Sequence, residues 1–116
     1  MKKDIFNIEL ISTITPISKE VIVDFAVIEN TLYVNKINEQ IEDYNLCELA
    51  LNSKPLFYRL GYEIPSNYYN SGKSMVRKIV GGKTKLFKAN SEVEAIFLAF
   101  NWILEDLKKQ ENKKCV

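Results

Sequence analysis

Between residues 54 and 88 the chain reads KPLFYRLGYEIPSNYYNSGKSMVRKIVGGKTKLFK, a stretch in which aromatic rings and cations interleave. Arg59, Lys73, Arg77 and Lys78 stand among Phe57, Tyr58, Tyr62, Tyr68 and Tyr69, with Lys83 and Lys85 following. Cations neutralise phosphates and rings stack on bases, so this is the chemistry that a nucleotide or a single-stranded nucleic acid asks for. The residues expected to hold such an anion are Arg59, Tyr68, Tyr69, Lys73, Arg77 and Lys78. A plainer account stays open beside it. Tyr58 and Tyr62 fall on the inward side of an expected strand, and strand lysines also serve to solubilise or to blunt a sheet edge. Asn70-Ser71-Gly72-Lys73-Ser74 ends as a phosphate-binding loop would, but Tyr68 occupies the place of the earlier glycine and a strand follows Ser74. That motif is therefore rejected.

Other reactive chemistry is sparse. The 116 residues contain no histidine and two cysteines, Cys47 and Cys115, far apart in sequence. Structural zinc takes four Cys or His ligands, so no metal is expected. An imidazole base is absent too, which removes the commonest route to general acid–base catalysis. Glu39, Glu42, Asp43 and Glu48 read as a solvated acidic surface of a helix, and Cys47 as a small buried hydrophobe on that helix. Asp24 alone is out of place, a carboxylate in the apolar run EVIVDFAVI. It needs a buried partner, or else its strand faces water on one side, which is the simpler account. No enzyme and no cofactor is expected.

Charge is unevenly placed along the chain. The net value is +1, yet residues 1–53 carry nine acids against four bases and residues 54–90 carry eight bases against Glu63 alone. Such a segment can draw in an anionic ligand although the whole is neutral. With 47% hydrophobic and 27% charged residues, the composition is that of one globular domain spanning 1–116. Apolar runs fall short of the ~20 residues of a membrane span, and no signal peptide is evident. Few cysteines and Lys-rich, Ile- and Asn-rich usage fit a reducing bacterial cytoplasm, that of a low-GC host or its phages.

Hydrophobic spacing then supplies the elements. IFNIELISTI (5–14) alternates as a strand, EVIVDFAVI (20–28) reads as a central strand, and Thr31–Asn35 returns after a turn at Glu29-Asn30. A helix is expected over 38–51, capped by Asn38 or Asn35, with Ile37, Ile41, Tyr44, Cys47 and Leu51 as its core stripe and Pro55 as its stop. LFYRLGYEI (56–64) reads as a strand, 74–80 and 83–88 as a hairpin about Gly81-Gly82. Ser91 and Glu94 form a capping box for a last helix reaching about Lys109. The order is βββα-βββα, an α+β fold with a mostly antiparallel sheet and two helices packed on it.

Both helices have a second apolar face. Opposite the last helix's stripe of Ile96, Phe97, Phe100 and Ile103 lie Ala95, Leu98, Ala99 and Trp102; opposite the first helix's stripe lie Leu46, Leu49 and Ala50. Such faces either lie under another element or form an interface. A homodimer interface of Leu46, Leu49, Leu98 and Trp102 is the expectation, because Trp is a favoured interface anchor.

From about Gly61 to Leu107 the chain resembles the small α-β-α sandwich proteins of phages and prophages. The likeness lies in the strand pair joined by Gly81-Gly82, the strand KTKLFKA and the capped helix NSEVEAIFLAF with its Ala-Ile…Ala pattern. The resemblance implies a phage-associated accessory protein. The expected function is accordingly a non-enzymatic, cytoplasmic inhibitor of counter-defence type, a small homodimer that occupies a host macromolecule. Binding a nucleotide-derived signal, or single-stranded nucleic acid, through residues 57–88 is the alternative.

Overall fold

The computed structural model describes residues 5–65 and 73–114. A short helix α1 (Ile8–Ile14) and a single 3-10 turn lead into β1 (Ile22–Ile28), β2 (Thr31–Lys36) and β3 (Ile41–Asn45), followed by α2 (Leu46–Arg59). The second half repeats the order with β4 (Tyr62–Glu63), β5 (Lys73–Lys78), β6 (Thr84–Lys88) and α3 (Glu92–Lys114). The fold is α+β. Two separate three-stranded antiparallel sheets, ordered β1-β2-β3 and β4-β5-β6, are each followed by a helix.

The βββα order thus occurs twice, but three of its segments differ from the hydrophobic reading. Residues 8–14 are helical where a strand was expected. Asn7 caps the helix by accepting from the Leu10 N–H at 2.8 Å, and Leu10 and Ile11 are fully buried. Ser12 and Thr13 return their hydroxyls to the Glu9 carbonyl, which leaves these β-branched and polar residues no reason to seek a sheet. Residues 41–45 are a strand, and the helix expected over 38–51 starts instead at Leu46. Asn45 is the cap, accepting from the Glu48 N–H at 3.1 Å.

The helix also passes through Pro55, which sits on its exposed side, and runs to Arg59; most of the strand expected over 56–64 is therefore helix. An interior proline forfeits one backbone hydrogen bond at a cost of about 3 kcal/mol. Phe57, wholly buried and stacked on Phe100 at 4.2 Å, holds the last turn in place against that loss. Gly61, at φ +99, then turns the chain out of the helix as a left-handed C-terminal residue.

The helix starts eight residues later than expected, and its other apolar face is the one turned inside. Four of the five expected core residues are outside: Ile37, Ile41 and Leu51 are each 60–65% exposed, and Cys47 is exposed with Asn30 Nδ2 at 3.4 Å from its sulfur, while Tyr44 alone packs against the core, from a strand. Leu46 and Leu49, expected above in an interface, are buried in the core of this chain, as is Ala50 beside them. The last helix corrects the same expectation differently. Phe97, Phe100 and Ile103 pack toward α1 and α2, with Phe6 at 4.8 Å from Phe97, while the opposite side lies on the second sheet. Trp102 meets Tyr62 of β4 and Phe87 of β6 edge-on at 6.2 and 6.3 Å. Ala95 and Ala99 are fully buried, and Leu98 packs against the core. A helix covered on both sides is apolar all round, so its second face needs no second chain.

The Ser91 cap forms as expected, at 3.1 Å to the Glu94 N–H, although the Glu94 carboxylate reaches the N–H of Asn90 rather than that of Ser91. The hairpin about Gly81-Gly82 is present too, closed by Lys78 and Lys83.

Because Leu46 is buried and Leu51 is not, the two positions report the helix register. Leu46→Asp should abolish folding, since an unpaired buried charge costs several kcal/mol out of a total of ~5–15. Leu51→Asp should change the unfolding free energy by no more than about 0.5 kcal/mol. Equal effects in urea titrations followed by circular dichroism would contradict this placement of α2.

Candidate functional site

Strand alternation separates the cations of β5. Lys73, Met75 and Arg77 point to the outer face of the second sheet, opposite Lys88, Leu86 and Thr84 of β6. Ser74, Val76 and Lys78 point inward to α3. Arg77 and Lys78, expected to grip one anion together, therefore lie on opposite faces. Each already has a carboxylate: Arg77 meets Glu63 at 3.0 Å and Lys78 meets Asp106 at 2.9 Å. Arg59 is exposed in the last turn of α2, where a cation complements the helix C-terminus. Tyr68 and Tyr69 lie outside the described residues, as does the Asn70–Gly72 segment. Lys88, which the sequence reading did not single out, directly faces Lys73 across the ladder. Only strand register reveals it.

Lys78 belongs to an inward polar cluster. The Tyr62 hydroxyl donates to Asp106, and Gln110 Nε2 donates to the Tyr62 oxygen at 3.2 Å and to Asp106 at 3.1 Å. Burial, and then the hydrogen bond to Asp106, push the Tyr62 hydroxyl well above the usual tyrosine range. The same Tyr62 hydrogen bond, helped by Lys78, holds the Asp106 carboxyl below the usual carboxylate range, against the opposing effect of desolvation. A shallow cleft of about 350 Å³ opens beside the cluster, lined by Leu60, Gly61, Tyr62, Lys78, Val80 and Gln110. The carboxylate already serves the tyrosine, the lysine and the amide. The arrangement clamps α3 onto β4 and β5.

The first sheet presents a different surface. Its inner face carries Leu32 and Val34, wholly buried, with Phe25, Val27 and Tyr44 packed around them. Its outer face follows from the register in three rows, Asp24–Asn35–Ile41, Ala26–Tyr33–Asp43 and Ile28–Thr31–Asn45. Those rows contain two carboxylates and no cation. Asp24 is exposed here, so its place in an apolar strand is explained by a sheet with one wet face. Ile28, Ile41 and Tyr33 are exposed on the same face, with Ile37 beyond its edge. A depression of about 370 Å³ lies among Asp24, Phe25, Ala26, Tyr33, Asn35 and Ile41.

Charge around this sheet is almost all of one sign. Residues 22–45 hold Asp24, Glu29, Glu39, Glu42 and Asp43 against Lys36, and Lys36 is half-buried at 3.7 Å from Glu42. These acids lie on turns and strands, not on the single helix surface expected for Glu39, Glu42 and Asp43. Glu29 and Glu39 occupy turn positions at φ +55 and +64, where a non-glycine residue costs about 1–2 kcal/mol. Of this face the sequence analysis placed Asp24 alone on a sheet surface; it set Asp43 and Ile41 on a helix. The exposure of Tyr33 and Ile41 had no visible signal, because it follows from which residues pair across β2.

Among the described residues, no group of three or more Cys, Asp or Glu is placed to hold a metal ion, and no helix is long and apolar enough to cross a membrane. Compared with family models, curated proteins and solved structures, the chain matches none.

The clamp has a pH signature. The folded state lowers the Asp106 carboxyl relative to the unfolded chain, so its stabilisation is complete above an ordinary carboxylate pKa of ~4 and fades as pH falls through the lower folded value. Asp106→Asn should therefore cost about 1–3 kcal/mol at neutral pH and progressively less in acid. A cost that does not change with pH in urea titrations would remove the carboxylate from this role.

Proposed function

We propose that the chain is a non-enzymatic binding protein that works by occupancy: the outer face of β1–β3 takes a basic, partly apolar surface of another protein and keeps other molecules from it. The observation that carries this reading is the outer face itself. Tyr33, Ile28 and Ile41 are exposed on the same face as Asp24 and Asp43, and no cation stands in the rows they form. Exposed apolar side chains grouped on one surface mark interaction sites, and acids around them select a basic partner and speed the encounter. Tyr33 has the make-up of an anchor, a rigid ring with a polar tip. The strained Glu29 and Glu39 turns support it further, since they put a carboxylate at each end of the sheet where glycine would be cheaper. An accessory inhibitor of a phage or prophage, acting in a bacterial cytoplasm on a host protein, fits this use of the face.

The test is affinity capture from a bacterial lysate. The wild-type protein should retain a discrete basic protein that the Tyr33→Ala, Asp43→Lys form retains at least ~30-fold less, the loss expected on removing a hot spot of 2 kcal/mol or more. Identical retention by both forms would refute the reading.

A second reading, an anionic ligand such as a nucleotide on the outer face of β5–β6, draws on Lys73 and Lys88 standing directly opposite each other. Like charges so placed destabilise a sheet by up to about 1 kcal/mol, which a bound anion would relieve. Nucleoside triphosphate at a hundredfold excess over its Kd should then stabilise the protein by about 2.7 kcal/mol, and Lys88→Ala should remove the shift. An unchanged melting temperature would leave the binding-protein reading alone.

A further inference from the structure

The two sheets of this chain have complementary outer faces. On the first, Asp24 and Asp43 stand beside exposed Tyr33, Ile28 and Ile41. On the second, Lys73, Lys88 and Arg77 stand beside Leu86, which is 49% exposed, with Glu63 alone opposing them. Ile79 and Val80 extend the apolar part of the second face into the hairpin turn. Over the whole strands the contrast is sharper. Residues 22–45 carry five acids and one base, and residues 73–88 carry six bases and no acid. Both surfaces are therefore half apolar and of opposite sign, the property that lets one surface recognise another and excludes a like one.

We propose that the occupant of the first sheet's outer face is the second sheet's outer face of another copy of this chain. This rests on the reading of the first face as a docking surface and adds the identity of one partner. Size sets the strength. The second sheet's face has two strands of five and six residues and a third of two, roughly 18 by 10 Å with a short extension, or about 200 Å². One such contact buries ~400 Å² in total, the size of a weak, reversible association. It places Lys73 and Lys88, which repel within one sheet, against the carboxylates Asp24 and Asp43 of the neighbour.

Charge exchange tests the contact. One variant carries Asp24→Lys and Asp43→Lys, so that both of its faces are basic; the other carries Lys73→Glu and Lys88→Glu, so that both are acidic. In sedimentation velocity at low salt the wild type should shift from monomer to dimer across a micromolar-to-millimolar dilution series. Each variant alone should remain monomeric, and an equimolar mixture should dimerise again, because every contact then joins opposite signs. Raising the salt from about 0.01 to about 1 M shortens the screening length from ~30 to ~3 Å and should weaken dimerisation by at least about tenfold. A wild type that stays monomeric throughout, or a mixture that stays monomeric while both variants keep the wild-type melting temperature, would overturn the proposal. Should either variant fail to fold, Asp24→Asn with Asp43→Asn reads the same contact, and unaltered dimerisation of that form would overturn it equally. The lysate experiment separates the two readings. The Lys73→Glu, Lys88→Glu form should lose self-association yet keep the captured protein, so a lone failure of self-association leaves the first face's reading standing.

Discussion

The structure depends on one helix carrying two apolar faces along its first three turns. Phe97, Phe100 and Ile103 face α1 and α2, while Ala95, Ala99 and Trp102 face the second sheet. Phe100 stacks on Phe57 and meets Phe97 edge-on at 5.6 Å, which ties α2 and, through Phe6, the segment before α1 to the same ring cluster. Each of these rings hides a large apolar area, and the alanines on the other side let the helix lie close to β5. Neither half of the chain could bury its own helix alone. The halves share a continuous cluster of buried residues from Ile5 to Ile103.

That sharing explains why the outer faces of the sheets are left to water. α3 covers the inner face of the second sheet, and the inner face of the first turns toward the shared cluster, so among the described residues no element remains for either outer face. The charge of each sheet is then free of packing constraints. Its division, acids on β1–β3 and bases on β5–β6, is a property of the surface rather than of the fold. The inward lysine of β5 makes the contrast plain: Lys78 is spent on Asp106 inside the clamp, whereas Lys73 and Lys88 remain on the outside.

The clamp and the ring cluster share α3 at different levels. Its first three turns bury hydrocarbon, and its later turns bring Asp106 and Gln110 to Tyr62 and Lys78. At the level of Asp106, the helix is held to the sheet by directional bonds, which makes the position of β4 sensitive to the state of a single carboxylate.

Local pattern was enough to read the twofold βββα order, the hairpins at Glu29-Asn30 and Gly81-Gly82, the Ser91 cap and the exposed Asp24, because turns and caps are decided by residues a few positions apart. Three questions lay beyond that reach. Residues 8–14 could serve as strand or helix, and burial of Leu10 and Ile11 in the shared core decided for helix. Residues 38–51 carried two apolar stripes, and a periodicity cannot say which stripe has a partner. The Asn45 cap and the pairing of β3 with β2 turned Leu46 and Leu49 inward and Ile41 and Leu51 outward. Trp102 seemed to want a second chain because its partners, Tyr62 and Phe87, stand 40 and 15 positions away. What the amino-acid order by itself determined was composition, charge division and the turns and caps that punctuate the chain. Which apolar face is inside, and hence which surface is left to bind, was decided by contacts between residues distant along the chain.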